Sequence, residues 1–539
     1  MRNTEDIIKK SRERILQLGT IAEAYVARAI STLTIRAVLF NEILEWGTHG
    51  PSSEKSELFF DGSPHHASAT YAILEQMGFV DSAELEKHFG TDTFPSVQPG
   101  NIIASSYNAG SLGTSLTKAT AAARILREKE STQKVYALEG NSSMQEGSTQ
   151  EALGFIKEQN LQNIVLIVND NGHGLDGPMQ SSFARTLKSY GIRVLAENAD
   201  GHDSKTVRNL LTKARDAKGA VAVIFKTYLM NDSSYELPIK KDKYIGGAIA
   251  RIATRHSFQA FTADTANSTG LAVLKTEAPE RILDFGCREQ LMVDSIEMYV
   301  RAGIPVVAGT FARYLLERAR EQVSGLIDLY AEGNMRVPTV LLATHNGISH
   351  AHNGKSHFYL TGYEFLKHPH VHLYHVADAV QLEAVMDMAL SRPEISIILA
   401  EREDGSPALF DTYPYKEDAV VPITTFNPRE HRLLIANGHL LHAAKNVAEK
   451  LPDVELLSIP HLGALSGEAL PEFLRNAEKV YVLEESDRPF LGDQVRLVAH
   501  KHGIQTPIKS MYVTDTGFDT YDRLLARNGL DAEGIKSRI

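Results

Sequence analysis

The chain has 539 residues, which is more than one ordinary hydrophobic core supports, so two to four domains are expected. Its hydrophobic content of 43% and charged content of 23% are typical of a soluble globular protein, and a formal charge of −11 argues against a nucleic-acid-binding surface. No apolar run approaches the roughly 20 residues that span a bilayer, and the charged N-terminal segment is unlike a signal peptide. The single cysteine, Cys287, excludes an intramolecular disulfide and a cysteine-rich metal site. These features predict a cytoplasmic protein that binds neither nucleic acid nor membrane.

The first part of the chain combines a helical segment with an alternating α/β segment. About 75 N-terminal residues have apolar side chains at three- and four-residue intervals, which predicts helices. Between residues 100 and 230 the predicted strands are KVYALEG, NIVLIVNDN, IRVLAEN and AVAVIFKTY, and the predicted helices are SLTKATAAARILREK and STQEALGFIKEQ. This alternation predicts a parallel sheet with helices on both faces.

Two more α/β patterns follow a break in this rhythm. The second contains the predicted strands IPVVAGTF, VPTVLLATH and VHLYHVAD, and the third contains RLLIANG, VELLSIP and KVYVLEE. We therefore predict an α/β protein of three domains, each built on a mostly parallel sheet covered by helices. The predicted boundaries are a first domain over 1–250, a linker over 251–275, a second domain over 276–420 and a third over 421–539.

Polar turns follow two predicted strands of the first domain. The turn GNSSMQEG lies between a strand and a helix, where backbone N–H groups and the positive helix end stabilise phosphate oxygens. The next strand ends in VNDNGHGLDG, so Asn141 and Asn171 are expected at the same sheet edge. Such oxygen-rich turns suit Mg²⁺ or Ca²⁺ bridging a diphosphate. From these residues alone, two ordinary strand-to-helix turns are an equally good interpretation.

A family resemblance favours the cofactor interpretation. The paired turns resemble the thiamine-diphosphate motif, Gly-Asp-Gly followed after about 25 to 30 residues by Asn. Further segments resemble the transketolase and deoxyxylulose-phosphate synthase superfamily in the same order, and the C-terminal segment YDRLLARNGLDAEGIKSRI is similar to the tail of the synthase branch. These ordered segments are PHHASATYAIL, NAGSLGTSLTKATAAA, PERILDFGCREQLMV, GTFARYLLERA and ATHNGISHAHNGKSH. The resemblance covers nearly the whole chain and implies a transketolase-like fold.

The resemblance also implies a cofactor and a homodimer. The cofactor would be thiamine diphosphate with Mg²⁺ or Ca²⁺, bound between the first domain of one subunit and the second domain of the other. The residues implied to bind it are His66, Gly110, Leu112, Gly140, Asn141, Ser142, Glu146, Asn171, Glu289, Phe311 and Tyr314. The implied metal ligands are Asn141, Asn171 and His173.

Acidic residues at family positions are the first candidates for catalysis. The resemblance implies that Glu289 hydrogen-bonds N1′ of the aminopyrimidine, and a carboxyl in an apolar interface has a raised pKa that suits proton sharing with a ring nitrogen. By itself, Glu289 also reads as a helix cap or a surface carboxylate. Glu146 and Glu151 lie where the family places carboxylates that link two active sites, although glutamates in a first helical turn are also favoured by the helix dipole.

Candidate substrate residues lie in the second predicted domain. His345 and His357 are implied to bind and protonate carbonyl or hydroxyl oxygens, which makes them catalytic candidates as well, and Arg402 is implied to hold an anionic group. Asn353 stands where transketolases carry an Asp that reads a donor hydroxyl, and Leu316 stands where a phosphate-contacting Ser often lies. A histidine without a partner group is also compatible with a structural role, and Phe311 and Tyr314 are compatible with a core role.

The chain departs from the family pattern at the diphosphate turn. Asn141 replaces the metal-binding Asp, so its amide oxygen coordinates a cation without contributing negative charge, and weaker metal affinity is expected. Ser142 replaces the second Gly of the motif. Several family histidines that bind sugar have no clear counterpart, which argues against an ordinary pentose-phosphate transketolase.

Three functions are consistent with these observations. The first is a thiamine-diphosphate-dependent carboligase that transfers a two-carbon unit from a ketose or related donor to an aldehyde. The second is an acyloin-forming synthase that decarboxylates a 2-oxoacid such as pyruvate. The third is a non-catalytic scaffold with the transketolase fold, which Asn141 favours and a buried Glu289 opposes.

Overall fold

The structure is a computed structural model, and it divides the chain into two compact units. The first contains residues 1–237 and 286–288, and the second contains 238–285 and 289–539. The described residues are 2–44, 46, 56–97, 99–103, 106–179, 182–229, 244–333, 335–361, 365, 368, 370–401, 408–409, 420–424 and 431–539.

The first unit is built on a seven-stranded sheet in the order β2-β3-β1-β4-β5-β7-β6. All neighbouring strands are parallel except β2 and β3. Its strands are β1 Leu58–Asp61, β2 Pro99–Ile103, β3 Ser106–Ala109, β4 Val135–Gly140, β5 Ile164–Asp170, β6 Arg193–Asp200 and β7 Val221–Lys226. Its α-helices are α1 Thr4–Ile21, α2 Val26–Val38, α3 Ala67–Met77, α4 Ser82–His88, α5 Thr114–Glu128, α6 Gly147–Glu158, α7 Phe183–Ser189 and α8 Ser204–Asp216.

Burial explains why these strands are apolar on both sides. Every residue of β5 is buried, and its run of Ile, Val and Leu suits a central parallel strand covered on both faces. One apolar cluster contains residues of α2, α3 and α8, and another contains residues of α5, α6 and α7. The helices therefore cover both faces, as predicted.

The second unit contains two sheets. The six-stranded sheet has the order β12-β13-β11-β10-β8-β9 and is parallel throughout, and the five-stranded sheet has the order β14-β16-β15-β17-β18 with only β14 antiparallel. Its strands are β8 Gln259–Thr262, β9 Ile282–Asp284, β10 Val306–Phe311, β11 Thr339–Thr344, β12 Val371–His375, β13 Ile395–Leu399, β14 Val421–Pro422, β15 Arg432–Ile435, β16 Val454–Ser458, β17 Lys479–Leu483 and β18 Ile508–Met511. Its α-helices are α9 Tyr244–Arg255, α10 Val273–Glu277, α11 Glu289–Arg301, α12 Arg320–Ala331, α13 Ala379–Ser391, α14 Leu440–Ala448, α15 Ala469–Asn476, α16 Phe490–Lys501, α17 Tyr521–Asn528 and α18 Ala532–Arg538.

The prediction of three mostly parallel, helix-covered sheets is confirmed, but the two C-terminal sheets belong to one compact unit. A single apolar cluster joins them, because it contains Leu341 and Ile397 from the six-stranded sheet and Leu433 and Val480 from the five-stranded sheet. Side chains that fill one continuous core cannot separate without exposing apolar surface to water.

Two sequence predictions of local structure are wrong. Residues 251–275, predicted as a linker, contain the end of α9, strand β8 and the start of α10, and β8 pairs in parallel with β10. Strand β1 lies inside the N-terminal segment that was predicted to be helical. Both strands are short and lie outside the stretches in which predicted strands and helices alternate, so their pairing with neighbouring strands specifies them.

Candidate functional site

The polar turns of the first unit meet at one edge of its sheet. In the parallel register Gly140 of β4 lies beside Asn169 of β5, and Asp170 of β5 lies beside Lys226 of β7. The segments that leave β4, β5 and β7 therefore start next to one another at the carboxyl edge, where ligands of open α/β sheets bind.

His66 lies next to this edge in a buried hydrogen-bond network. The network begins with Asp61 at the end of β1, which accepts two hydrogen bonds from Arg36 at 2.6 and 2.9 Å. Arg36 Nε donates to Thr32 Oγ1 at 3.0 Å, and Thr32 Oγ1 lies 3.1 Å from His66 Nδ1. Burial, reinforced by the nearby Arg36 charge, lowers the pKa of His66 well below its usual value, so the imidazole is neutral at physiological pH.

Asn141 is held between two neighbours on the turn after β5. Its Nδ2 donates to Asp170 Oδ1 at 2.7 Å, and its Oδ1 accepts from the backbone N–H of Asn171 at 3.0 Å. The second oxygen of Asp170 forms an ion pair with the Lys226 ammonium. Burial opposes ionisation of Asp170, but the hydrogen bonds from Lys226 and Asn141 outweigh it and lower the pKa of this carboxyl.

The other predicted diphosphate residues surround the same turn. Glu146 is buried and directly precedes α6, and Gly140 lies close enough to Ser63 that a Cβ would be 3.3 Å from its Oγ. Gly110 has φ +66° and is buried, and Leu112 and Ser142 are half-buried. Gly113, which the sequence did not single out, has φ +79°, and a Cβ there would lie 2.5 Å from Glu146 Cβ. The turn is close-packed at Gly113, whose backbone lies against Glu146.

The predicted metal ligands do not fit a divalent cation well. Asn171 Oδ1 accepts the backbone N–H of His173 at 3.0 Å, and His173 Nδ1 lies 2.9 Å from the carbonyl oxygen of Asn171. Asn141 Oδ1 also accepts a backbone N–H. Both amide oxygens therefore already serve backbone donors, and neither side chain brings the negative charge that hard cations prefer. Within the described ranges, no group of three or more His, Cys, Asp or Glu side chains could hold a metal ion.

Glu139, at the end of β4, is an unusual carboxyl beside this turn. It is fully buried, and burial raises its pKa to about 8 even though Ser143 Oγ donates to its Oε2. A Cβ at Gly62 would overlap the carboxyl group, so the glycine provides the space that Glu139 fills.

Aromatic rings and histidines converge at the carboxyl ends of β10 and β11 in the second unit. The Phe311 ring is 4.1 Å from the His345 ring and 5.8 Å from the Tyr314 ring, measured between centroids. Tyr314 Oη lies 3.1 Å from His357 Nε2. The structure thus brings together four residues that the sequence predicted for pyrimidine and substrate binding.

His345 has a backbone conformation that is rare outside glycine. Its φ is +57°, directly after β11, and its Nδ1 lies 3.0 Å from Thr344 Oγ1. Left-handed backbone at a non-glycine residue costs about 1 kcal/mol or more and is concentrated at functional sites. The strained backbone aims the imidazole at the Phe311 ring.

His350 belongs to the same cluster and was missed from the sequence. Its ring is 4.9 Å from that of His345 and 4.8 Å from that of His357, and its Nε2 lies 3.0 Å from Asn353 Nδ2. His357 Nδ1 lies 2.9 Å from Ser356 Oγ. Because an amide nitrogen only donates, His350 Nε2 is the acceptor in its bond with Asn353. The spacing of His345 and His357 was recognised, but nothing in the sequence marked His350, which reaches the cluster because the loop folds back on itself at Gly354, where φ is +66°.

Glu289 starts α11 and is buried, as predicted for the carboxyl of the pyrimidine site. Within its own unit this carboxyl also has a charged neighbour, because Arg318 Nη1 lies 3.5 Å from its Oε2, and the predicted interface with a second subunit stays a prediction. The Arg318 guanidinium also lies 4.5 Å from the centre of the Tyr314 ring. Leu316 is fully buried in the same turn. Arg402 lies outside the described residues.

A buried polar cluster lies beside this site. Glu401 Oε1 lies 2.6 Å from His375 Nε2, and Asn346 Nδ2 lies 3.2 Å from the same nitrogen. Glu485 accepts the backbone N–H of Ile348 at 2.9 Å, and burial raises its pKa to about 7. These contacts connect the loop that carries His345 to the five-stranded sheet of the same unit.

No helix in the described residues is long and apolar enough to cross a membrane.

Two family models match this chain. The family model for the thiamine diphosphate binding domain of transketolase matches residues 12–235, and the model for the transketolase pyrimidine binding domain matches 239–406. Together they cover more than half of the chain. A 1-deoxy-D-xylulose-5-phosphate synthase from Corynebacterium jeikeium is 24% identical over 75% of this chain and 77% of its own, and a transketolase from Homo sapiens is 23% identical over 74% and 76%. The solved transketolase from Leishmania mexicana covers 100% of this chain and 97% of its own, with 15% identity and a TM-score of 0.46.

Proposed function

The chain belongs to the transketolase family, and on that premise we propose that it is a thiamine-diphosphate-dependent carboligase. It would transfer a two-carbon unit from a ketose or related donor to an aldehyde acceptor, as a homodimer with the cofactor between the first domain of one subunit and the second domain of the other. The observation that carries this proposal is the convergence of Phe311, Tyr314, His345 and His357 on one loop-and-strand edge of the second unit.

The first unit would hold the diphosphate of the cofactor. Thr32 Oγ1 accepts from Arg36 Nε, and its own proton would go to His66 Nδ1 at 3.1 Å and not to the carbonyl oxygen of Ala29, which is farther away at 3.4 Å. The neutral His66 then carries its proton on Nε2 and offers an N–H to a phosphate oxygen. The backbone N–H groups of the turns that contain Gly110, Gly140 and Ser142 would complete the cradle.

The second unit would hold the aminopyrimidine. When bound, thiamine diphosphate supplies a nucleophilic thiazolium carbon that adds to a donor carbonyl. Glu289 would hold a proton at the pyrimidine N1′, and Phe311 and Tyr314 would pack against the ring. Arg318 would set the charge balance of Glu289, because it is the cation that pairs with this buried carboxyl. Glu146 would connect the two sites of the dimer.

The histidine cluster would handle protons on the substrate. The His350 ring lies 4.9 Å from the His345 ring and 4.8 Å from the His357 ring, measured between centroids. A donor substrate bound beside one of these rings would therefore be close to the others. His357 exchanges hydrogen bonds with Tyr314 at one nitrogen and Ser356 at the other, which suits transfer of a proton to a substrate oxygen through the Tyr314 hydroxyl. Asn353 would orient His350, and Arg402 would bind an anionic group of the substrate.

Magnesium or calcium at Asn141, Asn171 and His173 stays a prediction. The hydrogen bonds at Asn141 and Asn171 argue against it, and no step proposed for this chain depends on it.

A 2-oxoacid donor is the second candidate. This candidate is supported by the 1-deoxy-D-xylulose-5-phosphate synthase described above, which is 24% identical to this chain. The human transketolase is 23% identical, so sequence identity does not favour one of the two reactions. Release of CO₂ from pyruvate would identify this reaction, and cleavage of a ketose without CO₂ would identify the first.

The proposal is tested with the full chain, thiamine diphosphate, a ketose phosphate donor and an aldehyde acceptor. We expect the wild-type protein to form the extended ketose and Glu289→Gln to lose about 100-fold or more of the activity. The matched control is Glu297→Gln, which removes a half-buried carboxyl from the same helix, where it pairs with Arg301. Equal activity of Glu289→Gln and wild type would show that Glu289 has no catalytic role, and absence of product with both proteins would favour a scaffold. Calorimetry that detects no cofactor binding at millimolar concentration would refute the proposal.

A further inference from the structure

Three adjacent strand ends of the first unit are joined by a chain of polar contacts. Asn141 after β4 donates to Asp170 at the end of β5, and Asp170 accepts from Lys226 at the end of β7. Gly172 N–H adds a further hydrogen bond to Asp170 Oδ1 at 3.2 Å. Both carboxylate oxygens of Asp170 are therefore engaged by donors of this chain.

The orientation of the Asn141 amide is determined by its neighbours. A flipped amide would place its oxygen 2.7 Å from a carboxylate oxygen of Asp170 and its NH₂ against the N–H of Asn171, so both contacts would be repulsive. The observed orientation forms a hydrogen bond with each of the two neighbours. The amide N–H of Asn141 thus occupies the side of Asp170 on which a cation would otherwise be needed.

An aspartate at position 141 would behave differently. Its second oxygen would lie about 2.7 Å from Asp170 Oδ1, and two carboxylates at that distance repel strongly unless a proton or cation lies between them. Asparagine removes this requirement. The side chains at this edge are therefore arranged to be stable without a divalent ion.

Lys226 brings a positive charge to the same edge. Its side chain is 48% exposed, whereas that of Asp170 is 4% exposed, so the ammonium lies at the surface of the edge and the carboxylate lies beneath it. An ammonium has three N–H donors, and Asp170 accepts one of them. Lysine is a point charge that binds phosphate in many nucleotide sites.

We propose that Lys226, anchored by Asp170, supplies the positive charge that neutralises the cofactor diphosphate, and that this chain binds thiamine diphosphate without a divalent metal ion. This inference rests on the proposed function. Neutral Asn141 and cationic Lys226 are two parts of the same arrangement: the amide removes the need for a metal, and the ammonium replaces its charge.

The experiment measures thiamine diphosphate binding to the full chain by calorimetry, first with EDTA and then with Mg²⁺. We expect the wild-type affinity to change by less than about twofold between the two conditions. Lys226→Met should weaken binding about tenfold or more in EDTA, the loss expected for one charge-assisted hydrogen bond, and Lys226→Arg should retain most of it. The matched control is Lys188→Met, which removes another lysine of the first unit that pairs with a carboxylate, Glu197, and should bind as wild type.

A double variant tests whether the site can be made dependent on a metal ion. Asn141→Asp combined with Lys226→Met should bind the cofactor weakly in EDTA and recover about tenfold or more with Mg²⁺, and Mg²⁺ alone should bind to this variant but not to the wild type. Wild-type binding that requires Mg²⁺, or an unchanged affinity of Lys226→Met in EDTA, would overturn the inference while leaving the proposed function intact. Absence of cofactor binding under every condition would overturn both.

Discussion

Glu139 provides a quantitative test of the buried environment beside the turn that follows β4. The perturbation is Glu139→Gln, which keeps the size of the side chain and removes its ionisation. The carboxyl is fully buried at the end of β4, and its pKa is raised from 4.5 to about 8, first by burial and further by nearby Asp61, against a hydrogen bond from Ser143. At neutral pH this side chain is therefore a protonated acid in the folded chain and a carboxylate in the unfolded chain.

The sign and size of the effect follow from proton linkage. Because the folded-state pKa is higher than the unfolded-state pKa, the contribution of Glu139 to stability is complete below pH 4.5 and is lost as the pH rises through 8. The free energy of unfolding falls by about 1.4 kcal/mol per pH unit across that interval, or roughly 5 kcal/mol in total as an upper bound. Glu139→Gln lacks this term, so the variant should gain stability relative to wild type as the pH rises.

The single tryptophan makes the measurement specific. Trp46 is fully buried and stacks on Phe40 in the apolar core of the first unit, so its fluorescence reports unfolding of the unit that contains Glu139. Thermal unfolding of both proteins would be recorded from pH 5 to 9 at constant ionic strength, with Glu158→Gln, an exposed carboxyl at the end of α6, as the control. Parallel curves for wild type and Glu139→Gln across this range would show that Glu139 is ionised in the folded chain and would refute the reasoning.

Three other predictions concern packing and hydrogen bonds. Gly113→Ala should lower the free energy of unfolding by about 1–3 kcal/mol, measured by Trp fluorescence, because its φ of +79° and a Cβ 2.5 Å from neighbouring side-chain atoms both oppose a side chain; Gly191→Ala, with a positive φ but open space, should cost less. Asp61→Asn should cost about 3–5 kcal/mol in the same assay, because it leaves the fully buried Arg36 without its carboxylate; an unchanged melting temperature would contradict this. Tyr314→Phe should slow two-carbon transfer with little change in KM for the donor, and an altered KM alone would instead indicate a binding role.

The sequence by itself predicts three mostly parallel sheets covered by helices, which the structure confirms, and it names most residues of the candidate site. Long apolar strands such as β5 and β11 were recognisable because parallel strands buried on both faces are continuous apolar runs. Motif order along the chain then identified His66, Asn141 and Glu289, and the structure buries all three side chains. The short strands β1 and β8 lie outside the stretches in which predicted strands and helices alternate, and they were missed.

Pairings between distant segments were decided only by the tertiary structure. Lys226 meets Asp170 because β7 is the neighbour of β5 although 56 residues separate the two side chains, and no local pattern marks that pairing. Likewise, His350 joins the site only because the loop after β11 folds back at a left-handed glycine. Local sequence determines which segments form strands and which residue types end them. Strand order and loop path determine which of those ends meet. Here they place Asn141, which from the sequence is a weakened metal ligand, in hydrogen-bond contact with Asp170, the carboxylate that also pairs with Lys226.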